Sequence, residues 1–425
     1  MNILQRYLSK YLKSSDLFGL FRRLTVIFLV TVVFLSDVLC EEPPLQDEKA
    51  PDSIDVIIEN RDELAYDPTK HSIFPEFYHQ LSSKLFEWER KHGLEITLNY
   101  DVLVQGITGI EENTGGASGE IALRGRWLMF GEKFNGPAYL SFRLRNRQAY
   151  TDIPPSKIGS ESGLLWSTAD GFTDAGFQVP DFYVDQELLK GDLILRYGQF
   201  SIDKFVDKHS LRNSKRYFLN QAFAKNPAVN FPKYGAGAVG TMKIGDRWGF
   251  VAGCSNIQGT DQLKGEVDLS ITSTALFMTL QSSYSFSGFG GKSAQIQAMG
   301  WYDDNNGEDE IKDGGGVSVT LEHRGPREGE NYVFRFTSSD GKATNTKNIL
   351  FLGYGREIND FDHFGIGLAG GQSSESSKWQ GVMELYYQWQ ITKELLITPD
   401  FQLVTGIEGE DDLGFVMGLR AGVVF

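Results

Sequence analysis

From Leu94 onward the chain keeps returning to one pattern, apolar and polar residues alternating with a period of two, and that pattern limits what it can fold into. Ile96, Leu98, Tyr100, Val102 and Val104 alternate with Thr97, Asn99, Asp101 and Leu103. In EIALRGRWLMF, Ile121, Leu123, Trp127 and Met129 oppose Ala122, Arg124, Arg126 and Leu128; in AYLSFRLRNR, Leu140, Phe142 and Leu144 oppose Ser141, Arg143, Arg145 and Arg147. The alternation recurs in VSVTLE, NYVFRFTS, NILFLGYG, HFGIGLAGG, MELYYQWQI and ITPDFQLV. About 16 such segments of roughly 9 to 13 residues follow one another through alternately short and long connections. Few gaps are long enough for a crossover helix, so the chain reads as all-β and antiparallel.

Two architectures use such strands. A soluble sandwich hides the apolar face and wets the polar one, whereas a transmembrane barrel turns the apolar face to lipid and encloses the polar one. Strand length separates them: soluble strands average about five or six residues, and a tilted bilayer span needs about 9 to 11. The expectation is a transmembrane antiparallel β-barrel of about 16 strands over residues 93–425, closed so that no unpaired edge meets hydrocarbon. With 47 glycines and 13% aromatic residues, the composition favours tight turns and pleated surfaces over helix interiors.

Residues 1–40 read as a secretory signal peptide. LTVIFLVTVVFL, residues 24–35, follows Arg22 and Arg23 and is too short to cross a bilayer as a helix. Removal after Cys40 takes away five basic and two acidic groups, which leaves 36 Lys and Arg against 54 Asp and Glu, a balance of −18. An acidic exported chain makes a poor nucleic-acid ligand. Cys254 then has no cysteine to pair with and reads as a small buried or lipid-facing side chain. Residues 41–70 are acidic and proline-containing, a flexible leader. Residues 71–92 carry Phe74, Phe77, Leu81, Leu85 and Trp88 at helical spacing, which predicts a short amphipathic helix before the barrel.

The last segment, LGFVMGLRAGVVF, places Leu413, Phe415, Met417, Leu419, Ala421, Val423 and Phe425 on one face and Arg420 on the other. Such a strand closes against the first. Its alternating row ending in an aromatic resembles the signal by which outer-membrane assembly machinery engages barrel precursors, the role expected of Phe425.

The polar parity carries the expected function. Arg124, Arg126, Arg143, Arg145, Arg147 and Arg196 share inward positions on early strands, with Glu384, Asp400, Gln402 and Arg420 on late ones. A guanidinium is a planar multi-donor fork that suits carboxylates, phosphates and vicinal hydroxyls, and it also pairs with acids across a lumen. Mixed charge suits a neutral polyol better than an ion. The insert SIDKFVDKHSLRNSKRYFLNQAFAKNPAVNFPKYG is too long for a turn; a short helix is expected around Arg216 to Ala224, and the insert either dips into the lumen or lies outside as a lid.

LRYGQFSIDKFVDK, FLNQAFAKNPAV and FPKYGAGA resemble the carbohydrate-selective, OprB-type outer-membrane porin family. ELYYQWQITKELLITPDFQLV and GLRAGVVF look like that family's closing strands, and GLEITLNYDVLVQGITG is similar to its first. The acidic leader and Thr405-Gly406, where the family has asparagine-proline, depart from it. The resemblance implies a 16-stranded barrel in a Gram-negative outer membrane, passing sugars down their gradient with arginines and acids at the constriction; monomer and homotrimer both stay open. It implies no cofactor.

The main rival is an anion-selective pore for phosphate or organic acids. An enzyme on a barrel needs a nucleophile, base and orienter within reach. His71, His79 and His92 precede the barrel, and His209, His323 and His363 lie in no Ser-His signature. No His/Cys pair has metal-ligand spacing, and WYDDNNGEDEIKDGGG lacks the spacing of an EF-hand and reads as a solvated hairpin loop.

Overall fold

The computed structural model describes residues 84, 87–88, 91–109, 113–131, 136–257, 265–270, 275–304, 313–358, 362–392, 394–405 and 413–424. The expected signal peptide, the acidic leader, most of the helix at 71–92 and Phe425 lie outside them. Of that helix, residues 84, 87, 88, 91 and 92 are described; they are helical and exposed.

Sixteen strands close into one barrel in chain order. They are β1 (Leu94–Thr108), β2 (Thr114–Phe130), β3 (Ala138–Ala149), β4 (Gly176–Leu188), β5 (Leu193–Phe200), β6 (Gly235–Ile244), β7 (Trp248–Asn256) and β8 (Leu276–Ser287). The second half holds β9 (Ser293–Asp304), β10 (Gly314–Arg324), β11 (Glu330–Ser339), β12 (Thr346–Glu357), β13 (His363–Ser373), β14 (Trp379–Gln390), β15 (Leu395–Thr405) and β16 (Leu413–Val424). Every neighbouring pair is antiparallel, and β1 completes the ring against β16, with Val102 opposite Ala421 and Val104 opposite Leu419. Closure leaves the ladder without an edge.

The alternation is realised as expected. Phe401, Phe415, Met417 and Leu419 are exposed on the outer face, while Asp101, Glu384, Asp400 and Arg420, of opposite parity, are buried inside. Only lipid leaves a closed row of exposed apolar side chains unpenalised. Cys254 is partly buried and faces Met278 across the ladder.

The connections also alternate. Turns such as 189–192, 245–247 and 288–292 close one end, whereas residues 150–175 and 201–234 are long connections at the other. The first carries α1 (Pro155–Glu161) and the second α2 (Gln221–Ala224). The helix expected from Arg216 starts only at Gln221, because Asn220 is extended and its side chain caps the helix by accepting from the Ala222 amide.

The insert 201–234 runs inside the barrel. Its amides reach Gln281 on β8 from Asp207 (2.7 Å), both Glu322 oxygens on β10 from Ser210 (3.2 Å each), and Glu384 on β14 from Leu219 and Asn220. A barrel of this strand number leaves an aqueous channel, and the insert fills part of it.

Candidate functional site: a constriction inside the barrel

What the insert leans on is written into the inward residues of β11–β16. Phe218, Phe223, Phe351 and Tyr386 are fully buried together, with Ile349, Val333, Val382, Val404 and Val416 around them. Glycines on the same wall make room. A Cβ at Gly367 would sit 2.9 Å from Phe223 and 3.0 Å from Phe218; at Gly371 it would sit 2.5 Å from the Trp166 ring. The wall is therefore hollowed where the aromatic rings enter, and the contact is a dry packed core.

Polar groups also hold the insert. Asn220 donates to Gln402 (2.9 Å), and Gln402 donates to Asp400 and to the Thr168 carbonyl (2.9 Å each). Arg420 donates to the carbonyls of Ser214 and Tyr217. Arg335 faces Asp207 at 3.4 Å, Arg212 faces Asp203 at 2.7 Å and Arg216 faces Asp101 at 3.2 Å. The long connection 150–175 joins this assembly: the Asp170 amide donates to Leu219 and Trp166 donates to Thr346. Burial without pairing would be costly, so the contacts that cross from the insert to the barrel favour the seated insert.

Across β2 to β5 the inner wall is different. Register places Asp101 beside Glu120, Glu120 beside Arg147, Arg124 beside Arg143, and Arg143 beside Asp181. Glu120 receives Arg147, Arg145 at 3.8 Å and Lys215 of the insert at 3.9 Å. One step along the strand, Asp181 receives Arg143 at 2.8 Å and Lys204 at 2.9 Å. Arg145 also donates to Gln178 and to the Tyr234 hydroxyl. Arg196 pairs with Asp185 at 2.7 Å and donates to Thr241. Arg126 stands apart, 44% exposed, 3.6 Å from Glu187 and over the Tyr139 ring.

Exposure tells the two groups apart. The Arg143 and Arg147 side chains keep 16% and 13% of their surface, and Lys204 keeps 34%. Glu384, Asp400, Gln402 and Arg420 keep 2% or less. All ten sequence-predicted residues thus face inward, but those on β14–β16 lie beneath the insert and Arg145 is nearly as buried as they are, while Arg143 and Arg147 keep part of their surface. Burial pulls the Lys215 amine down to about 8, against the raising pull of Glu120 and Asp101 and together with repulsion from Arg147 and Arg145. Burial would raise Tyr234, yet Arg145, Arg147 and Arg143 outweigh it and hold the phenol below its ordinary value.

Sequence reading passed over Glu120, Asp181, Lys204, Lys215 and Tyr234. Strand parity marks the two acids as inward; nothing local marks the three insert residues. Among the described residues no group of three or more His, Cys, Asp or Glu side chains is placed to hold a metal ion.

Residues 350–425 match the family model for the carbohydrate-selective porin, OprB family. The high-pH structure of Pseudomonas putida OprB is similar in fold with a TM-score of 0.66 at 16% identity, over 81% of this chain and 97% of that one. Its low-pH structure gives 0.53 at 14%, over 81% and 96%. No curated protein sequence matches this chain. The likeness to the carbohydrate-selective, OprB-type porins read from the sequence is thereby borne out: the closing strands carry that family's pattern, and the barrel they complete has the porin fold.

Proposed function

We propose that this chain is an outer-membrane channel for the passive diffusion of mono- and small oligosaccharides, with its outer row in lipid and its passage running along the β2–β5 wall. The observation that carries the reading is the pair of inward guanidiniums on β3, Arg143 and Arg147, left partly exposed beside an insert that fills part of the bore. Arg124, Arg126 and Arg196 extend the same lining. Fork-like donors aimed at water can replace hydration on sugar hydroxyls, and diffusion down a gradient needs only weak contacts of this kind. Glu384, Asp400, Gln402 and Arg420 act on permeation through the insert: they hold it against the far wall and so set the width of the passage. Nothing in this function calls for a covalent step or a redox group.

Liposome swelling with a panel of mono- and disaccharides tests the reading, with Arg143→Ala and Arg145→Ala as variants. Swelling in glucose that exceeds protein-free liposomes, and rates altered in both variants, is the expected result. Failure of every sugar to enter overturns the function; unchanged rates in both variants remove the arginines from the site.

A further inference from the structure

Several cations inside the barrel each have an acid of their own. Arg196 has Asp185, Arg216 has Asp101, Arg335 has Asp207 and Arg212 has Asp203. At the constriction, Glu120 alone serves Arg145, Arg147 and Lys215. Asp181 alone serves Arg143 and Lys204, with Arg124 as the next guanidinium across the ladder. Five cations therefore share two carboxylates, in a chain whose overall charge is −15. Lys215 is the sharpest case. Its side chain is 11% exposed, its ammonium lies 3.4 Å from the centre of the Phe172 ring, and that ammonium has no hydrogen-bond acceptor among the described residues.

An excess of fixed cations with low-dielectric walls concentrates anions. Their donor geometry is one that already holds a carboxylate, because Arg145, Arg147 and Lys215 converge on Glu120. We infer that the constriction is a subsite for a carboxylate, and that the passage takes sugar acids in preference to neutral sugars of the same size. The inference rests on the sugar-channel reading and names the substrate class within it. A sugar acid brings its carboxylate to Arg143, Arg147 and Lys204, which keep part of their surface, while the buried Lys215 ammonium adds its charge to the field they share.

The test is uptake of labelled glucuronate and labelled glucose into liposomes carrying the full chain, with Lys215→Gln and Lys204→Gln compared after a heat-modifiability gel has shown each barrel to be folded. At low ionic strength glucuronate should enter about tenfold faster than glucose, with the ratio shrinking as salt rises. Both variants should lower the ratio. Lys215 faces Glu120 on β2, Arg145 and Arg147 on β3, Asp101 on β1 and Arg216 beside it in the insert. The Lys215 amine, at about 8, loses its proton between pH 7 and 9. The wild-type ratio should therefore fall across that interval, and the Lys215→Gln ratio should stay flat. Glucose entry with a glucuronate ratio at or below one overturns the carboxylate subsite and leaves the sugar channel standing. Entry of neither solute overturns both. A ratio well above one that both variants leave untouched overturns the assignment to this cluster.

Discussion

The inner wall of this barrel has two halves built for different ends. Along β11–β16 it is hollowed by glycines and studded with rings, and the insert fits it as a side chain fits a core, with Phe218, Phe223, Phe351 and Tyr386 fully buried. Along β2–β5 it keeps its long cationic side chains, Arg143 and Arg147 partly wet, where Arg143, Arg145, Arg147 and the insert's Lys204 and Lys215 converge on Glu120 and Asp181. The first half spends its inward positions on holding the insert still. The second is left chemically unsatisfied, and that is the property a passing solute can use. One wall is packed against the insert and the other keeps exposed charge.

The contrast can be broken from the packed side first. Phe223→Ala removes a ring at the centre of the dry contact and should cost about 3 to 5 kcal/mol of stability. A lower melting temperature in detergent with raised single-channel conductance is expected; conductance equal to wild type would show that the insert does not occlude the bore. Gly371→Ala puts a Cβ 2.5 Å from the Trp166 ring and 3.0 Å from the Asn348 carbonyl. Such overpacking costs about 1 to 3 kcal/mol, read as a smaller drop in melting temperature and greater trypsin access to the long connections. Glu384→Gln keeps the shape but leaves one acceptor where the Leu219 and Asn220 amides now meet two oxygens. A loss of about 1 to 2 kcal/mol is expected, with noisier open-channel current as its second mark.

The smallest stability effect should come from the open half. Lys204→Gln alters a side chain that keeps 34% of its surface, and stability should move by no more than about 0.5 kcal/mol while permeation changes. A melting shift as large as that of Phe223→Ala would erase the distinction between the two walls.

Much of this was legible beforehand because strand parity is local. Whether Arg143 or Arg420 points inward depends only on counting by twos along a strand, and all ten inward assignments follow from it. The insert was legible as an insert by its length, but its position was not. Phe218 and Phe223 find their partners on β12 and β14, more than a hundred residues away in sequence, at glycines whose role exists only once the barrel is closed. The expected helix from Arg216 shortened for a related reason: the Leu219 and Asn220 amides bond to Glu384 instead of to a helical turn.

The amino-acid sequence by itself determined sidedness, an oily exterior and a polar interior, since a side-chain period of two lets each strand sort its residues without knowing its neighbours. Only the tertiary structure decided which inward residues meet water. That depends on where a folded insert comes to rest, and the insert rests where distant strands together offer both a cavity for its rings and acceptors for its amides.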